Sequence, residues 1–201
     1  MDSGTLISFL ALDLLLVCVP GADWAYAISA GLRGGSVARA VAGLVSGYAL
    51  HTVLAAAGLA VLVASRPALL TGLTVAGAGY LVWLGWSVLR RPGVPGAAEG
   101  TGERVFLRGA VISGLNPKGL LLYLSVLPQF LVTGGGHLPV PAQTATLGLL
   151  HMACCAAVYL SVGFGARAVL GARPAAARAV TRTSGAAMLG IGAFLLVQHT
   201  L

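Results

Sequence analysis

Apolar residues run through this chain in long blocks, separated by short clusters rich in glycine, proline and arginine. Six blocks are each about 20 residues or somewhat longer, as a tilted membrane-crossing helix requires. They run Thr5–Ala30, Arg39–Ala64, Pro67–Leu89, Gly109–Thr133, Ala142–Leu170 and Thr183–Leu201. The strict alternation of a membrane β-strand does not recur. The pattern predicts an all-α integral membrane protein with six transmembrane helices.

A linker, residues 90–108, separates blocks three and four and carries Pro92-Gly93 and Pro95-Gly96. It divides the chain into a first unit, 1–89, and a second, 109–201. Three spans per unit is an odd number, so the second unit must insert upside down relative to the first. The units also echo one another. Gly47 and His51 in span two answer to Gly148 and His151 in span five. Gly77-Ala78-Gly79 leading to Gly85 answers to Gly185-Ala186-Ala187 leading to Gly190 and Gly192. Pro20 in span one answers to Pro117 in span four. Two inverted three-helix repeats are the expectation, an arrangement common in secondary transporters. The small residues, Gly43, Gly47, Gly77, Ala78, Gly79, Gly190 and Gly192 among them, are expected to let helices pack closely in lipid.

Composition narrows the class. The chain is 58% hydrophobic and 8% charged, against about 25% charged residues in soluble domains. The net charge of +7 does not point to nucleic acid, because the basic residues sit in short inter-span loops. Arg33 and Arg39, then Arg90, Arg91, Arg104 and Arg108, then Arg167, Arg173, Arg178 and Arg182 fall on one side of a six-span chain. The other side has only Arg66. Positive loops prefer the cytoplasm, so both termini are expected outside. Met1-Asp2-Ser3 lacks the basic start of a cleavable signal, so the first block is expected to remain as a helix. Cys18, Cys154 and Cys155 are too few for a disulfide framework and read as small buried hydrophobes. Tyr80, Trp83, Trp86 and Tyr123 read as interfacial or packing aromatics.

Spans one and four are the informative ones. Each is expected to be broken, at Pro20-Gly21 and at Asn116-Pro117, because proline and its neighbour disrupt a helix. Each break carries a charge, Asp23 and Lys118. Both sit about ten residues, or roughly 15 Å, from the cytoplasmic arginines, near mid-membrane. A charge there costs at least roughly 2.5 to 3.5 kcal/mol. Asp23 is expected in the first turn of a new half-helix, where an acid is favoured. Asn116 is expected to cap the other. Lys118 in a first turn is disfavoured and is expected to need Asp23 or a bound carboxylate as partner. Pro20, Gly21, Asp23, Asn116, Pro117 and Lys118 are therefore the candidate substrate site. A fixed ion pair that only locks the fold is the alternative. Asp13, seven residues before Pro20 on the same helical face, and His51 and His151 are candidate proton-coupling residues. A structural acid and hydrogen-bonded packing histidines are their alternatives.

Phe106-Leu107-Arg108-Gly109, Asn116-Pro117-Lys118, Leu127-Pro128-Gln129-Phe130 and Gly77-Ala78-Gly79-Tyr80-Leu81 with Leu84-Gly85-Trp86 together resemble the lysine exporter (LysE/RhtB-type) amino-acid translocator family. The family's first-helix signature is Pro-Gly-Pro and then a polar residue; here it stands as Pro20-Gly21-Ala22-Asp23. The resemblance covers nearly the whole chain. It implies export of amino acids or close derivatives across a bacterial cytoplasmic membrane. No nucleotide-binding motif is present, so an ion gradient, protons first, is expected to supply the energy. No enzyme activity, cofactor or bound metal is expected, and the sequence leaves a homo-oligomer open. Two other classes compete. A divalent metal exporter would use Asp13, Asp23, His51 and His151, but Lys118 would repel its cargo. A thiol-based electron carrier would need a cysteine at both breaks, and only Cys18 lies at one.

Overall fold

The computed structural model describes residues 2–58, 67–90, 102–132, 138–170 and 174–200, and every regular element among them is helical. Helix α1 (Ser3–Cys18) begins at Asp2, whose carboxylate accepts from the Thr5 amide at 2.7 Å. This is the usual side-chain cap of an exposed helix start. It ends where Pro20 removes the next donor, and α2 (Ala22–Leu32) starts afresh at Gly21. Helix α3 (Val37–Ala56) is capped by Ser36, which accepts from the Arg39 amide. Helix α4 (Pro67–Arg90) carries Arg90 in its last turn, where a cation meets the negative end of the dipole. Helix α5 (Gly102–Gly114) gives way to α6 (Pro117–Leu121), with Asn116 as its cap and Pro117 at its start. From there the chain runs through a π turn, Leu122–Val126, and a 3-10 turn, Leu127–Phe130. Helix α7 (Val140–Gly165) continues as a π segment, Ala166–Leu170, and α8 (Pro174–Thr200) follows.

Both expected breaks are present. The chain bends by 59° between α1 and α2, and by 50° between α5 and the segment Lys118–Phe130. Among the described residues, Val37–Ala56 and Val140–Val169 are each long and apolar enough to cross a membrane, and each bent pair counted as one span raises the total to as many as four. The chain is thus an all-α, multi-span membrane bundle. The other two expected spans fall on α4 and α8, the second of which starts at Pro174, ahead of the expected Thr183. Linker residues 91–101, together with Arg66, His137 and Arg173, lie outside the described residues.

Glycine sets the packing of two helix pairs. In α3 a side chain at Gly47 would meet the Ala110 carbonyl and the Gly114 amide of α5 at 2.7 Å. Gly43 lies equally close to the Phe106 backbone, and Gly109 to that of Ala40. The Ser113 hydroxyl then reaches across to donate to the Leu44 carbonyl at 2.5 Å. Helices α4 and α8 meet in the same manner, with Gly85 against Gly185 and Gly192 against the Ala78 carbonyl. Close backbone approach is how helices associate in lipid, where apolar burial alone gives no drive. Gly79 and Gly190 depart from that expectation, since nothing lies within 4 Å of where their side chains would be. Large apolar side chains such as Ile7, Leu15, Val53, Leu149 and Phe164 point outward, as lipid-facing residues do.

Helix α7 is the central element. It packs against α1, α2 and α3. Its buried side chains, Gln143, Leu147, His151, Cys155 and Tyr159 among them, recur every four residues, so one face turns inward along most of its length.

Candidate functional site

The two helix breaks meet, and Asn116 joins them. Its side-chain oxygen accepts from the Lys118 amide at 3.1 Å, which caps α6. Its amide nitrogen donates to Asp23 Oδ2 at 2.8 Å. One short side chain therefore starts the second half of one broken span and binds the acid of the other.

Asp23 is 3% exposed and lies in the first turn of α2. Besides Asn116, Oδ2 accepts from the Tyr48 hydroxyl at 2.6 Å and the Tyr159 hydroxyl at 3.1 Å. Charge-assisted hydrogen bonds of this kind offset the desolvation of a buried carboxylate. Oδ1 is buried and has no hydrogen-bond partner among the described residues. An acid satisfied on one oxygen and open on the other is a ready acceptor for a cationic ligand.

The expected Asp23–Lys118 pair is rearranged. The two charges attract one another, but the Lys118 ammonium donates to the Val19 carbonyl at 3.0 Å. Val19 is the residue that ends α1. The break deprives carbonyls there of their helical donors, and the end of a helix favours a cation. The disfavoured start of α6 is thus compensated by the C-terminal end of α1 rather than by a direct bond to the acid. The second break is treated in mirror fashion. His51, from the first half of the chain, donates from Nε2 to the Gly114 carbonyl at 3.0 Å, at the end of α5. Each half of the chain caps the broken helix of the other.

Asp13 and His151 come together. Asp13 is 1% exposed, and its Oδ1 lies 2.7 Å from His151 Nδ1. His51 is not hydrogen-bonded to that pair, and the Tyr123 ring lies 5.4 Å from its ring and 5.8 Å from that of His151, centroid to centroid. Pro20 is exposed in the connecting bend. Gly21 is extended, with open space around it, so it provides neither an unusual conformation nor a tight approach. Pro117 opens α6.

Several site residues were not singled out in the sequence. Tyr48 and Tyr159 bind Asp23 directly. Tyr123, read as an interfacial or packing aromatic, is a buried one, and its hydroxyl lies 2.7 Å from Thr52 Oγ1. Cys155 is buried as expected but lies 3.5 Å from His151 Nε2. Cys18, expected buried, is exposed. A spacing signal existed. Tyr48 precedes His51 by one helical turn, and Tyr159 follows His151 by two. Gln143 was also passed over. It is fully buried and holds the chain after the 3-10 turn, pairing with Val132 and with the Leu138 carbonyl.

Tyr48, Lys118, Gly119, His151 and Tyr159 line a cavity of about 10 Å³, room for about one water molecule. A cavity of that size leaves the space beside Lys118 and Tyr48 nearly filled. Of the four residues a metal exporter would use, only Asp13 and His151 touch, and the described residues contain no group of three or more His, Cys, Asp or Glu placed to hold a metal.

Two bent helix pairs meeting at a buried polar cluster in an apolar bundle are an arrangement found at the binding sites of secondary transporters. The family model of the LysE type translocator matches residues 14–199, and the chain belongs to that family. It is a transporter and not an enzyme. It is similar to a membrane protein of Vibrio cholerae, with 33% identity over 159 residues, 74% of each chain. It is also similar to the leucine efflux protein of Klebsiella pneumoniae, with 30% identity over 132 residues and 62% of each chain. The leucine efflux protein of an Enterobacter species is 35% identical over 124 residues, 58% of each chain. No solved structure matches.

Proposed function

We propose that this protein is a secondary exporter of amino acids or close derivatives across a bacterial cytoplasmic membrane, coupled to protons. The observation that carries the reading is Asn116, which ties the two helix breaks together at Asp23. The unpartnered Oδ1 of Asp23 would take the substrate ammonium. Lys118 would take the carboxylate, exchanging the Val19 carbonyl for it. The amides at the start of each half-helix add positive potential beside that carboxylate. Asp13, His51 and His151 are the candidate proton-coupling residues. Leucine and similar apolar amino acids are the first substrates to try, since two relatives carry leucine efflux as their name.

The packing supports two inverted three-helix repeats with six spans. Helix α3 lies on α5 while α7 lies on α1 and α2, and α4 pairs with α8, as two units related by a two-fold axis would. Rocking one unit against the other would open the site to each side. The test is export of labelled leucine and a panel of other amino acids into inside-out vesicles under an imposed proton gradient. Accumulation that collapses with the gradient is the expected result. Transport of divalent metals in place of amino acids would overturn the reading.

A further inference from the structure

The cavity beside Lys118 is lined by apolar residues as well as by polar ones. Leu16 and Val17 come from the last turn of α1, and Leu122 from the first position of the π turn. Val17 and Leu122 are buried, and Leu16 is half-buried. The end of α1 is fixed at this place. The Trp24 indole, on α2, donates to the Val17 carbonyl at 2.8 Å, and the Val19 amide donates to the Leu16 carbonyl at 3.1 Å. Val19 is also the residue whose carbonyl holds the Lys118 ammonium. That ammonium and these apolar side chains therefore border one space.

Gly119 completes the apolar lining. It lies within α6 and its φ is not positive, so no backbone conformation demands glycine there. Inside a helix glycine is less favourable than alanine. A side chain at this position would come within 2.8 Å of the Tyr48 ring and 3.4 Å of the His51 ring. Glycine thus keeps room beside Tyr48, the residue that donates to Asp23.

We propose that Leu16, Val17 and Leu122 receive the side chain of the exported amino acid, that Gly119 leaves room for it, and that this lining restricts the cargo to uncharged side chains. The proposal rests on the amino-acid exporter reading and adds the selection of side chain to it. None of the described lining residues is acidic. Asp23 is given to the substrate ammonium, and Asp13 does not line the cavity and has its Oδ1 on His151. A cationic side chain would lose its hydration here without gaining a partner in the lining. An anionic one would compete with the substrate's own carboxylate for Lys118. A hydrocarbon side chain gains by leaving water. Leu16 and Val17 belong to one bent helix pair and Gly119 and Leu122 to the other, so relative movement of the two pairs would widen the space they share.

Transport by the full-length protein in proteoliposomes tests this, with labelled alanine, leucine, phenylalanine, lysine and glutamate. Ratios between substrates cancel the amount of protein inserted. In the wild type, leucine should move at least tenfold faster than lysine or glutamate. Val17→Ala should raise the phenylalanine-to-leucine ratio about tenfold, the scale on which a pocket separates small differences in hydrocarbon. Leu16→Ala, at a half-buried position where folding is less at risk, should shift the ratio the same way. Gly119→Ala should act in the opposite sense and lower the leucine-to-alanine ratio about tenfold. An equal loss for every substrate in Gly119→Ala would make it a packing glycine only. Equal scaling of all substrates in all three variants would overturn the proposal. Lysine moving as fast as leucine in the wild type would also overturn it and leave the exporter reading standing. No movement of any amino acid would refute the exporter reading, and this proposal with it.

Discussion

Asp23 distributes its two oxygens unequally, and that division organises the site. Oδ2 is held by Tyr48, Tyr159 and Asn116, while Oδ1 is left open. Asp23→Asn keeps the shape but gives up the charge, so labelled leucine export should fall at least tenfold with insertion unchanged. Lys118→Met should do the same. The double variant should stay inactive, because Lys118 bonds Val19 and not Asp23; full recovery would make the two charges a structural pair. Asn116 separates stability from function. Asn116→Ala loses the cap of α6, about 1 kcal/mol, and the bond to Asp23. Asn116→Ser can restore the cap but is too short to bridge. It should regain thermal stability in detergent without regaining export, and recovery of both would show that the bridge is dispensable. The prolines and charges at the breaks were legible in the sequence, because such residues are costly inside an apolar span. The tyrosines were not, since a tyrosine in an apolar helix is ordinary. Only the rotation of α3 and α7 about their axes brings Tyr48 and Tyr159 onto one carboxylate.

At the scale of helices, the glycines differ sharply in what they do. Gly47 has no room for a side chain: even one carbon would meet the Ser113 hydroxyl and the α5 backbone. Gly47→Ala should force α3 and α5 apart and cost about 1–3 kcal/mol, as overpacking does. It should also pull His51 from the Gly114 carbonyl. Gly190→Ala meets nothing within 4 Å, and alanine is a better helix former than glycine inside α8. It should leave melting temperature and export near wild type, so an equal loss in both variants would show that the α3–α5 seam is not the reason. A glycine-rich span announces close packing somewhere, but which glycines touch depends on the partner helix. Gly79 and Gly190 look no different from Gly47 in sequence, yet face open space. Lys118 shows the same limit. Its place at the start of a half-helix was readable, but the carbonyl that compensates it lies almost a hundred residues earlier, on another helix.

For the whole molecule, helix number and loop charge are bound together. The arginines of three loops share a side only if the chain crosses an even number of times in each interval between them, and six spans satisfy this. Both broken spans lie where the sequence put them, with bends of 59° and 50°, because proline acts locally and needs no partner. The proposed inversion of the second half is a relation between distant segments, and its support lies in which helices pair. Orientation tests both at once. Single cysteines at Ala97 and at His137 should react with a membrane-impermeant maleimide from opposite sides. The wild-type chain, whose own cysteines lie within helices, supplies the background. Ala97→Cys belongs to the arginine-rich linker and should be labelled only from the cytoplasm. His137→Cys lies one span further on and should be labelled only from outside. Reversal of both would invert the orientation while leaving the span count intact. Labelling of both from one side would mean an even number of crossings between them, which breaks the six-span arrangement and with it the inversion of the second half.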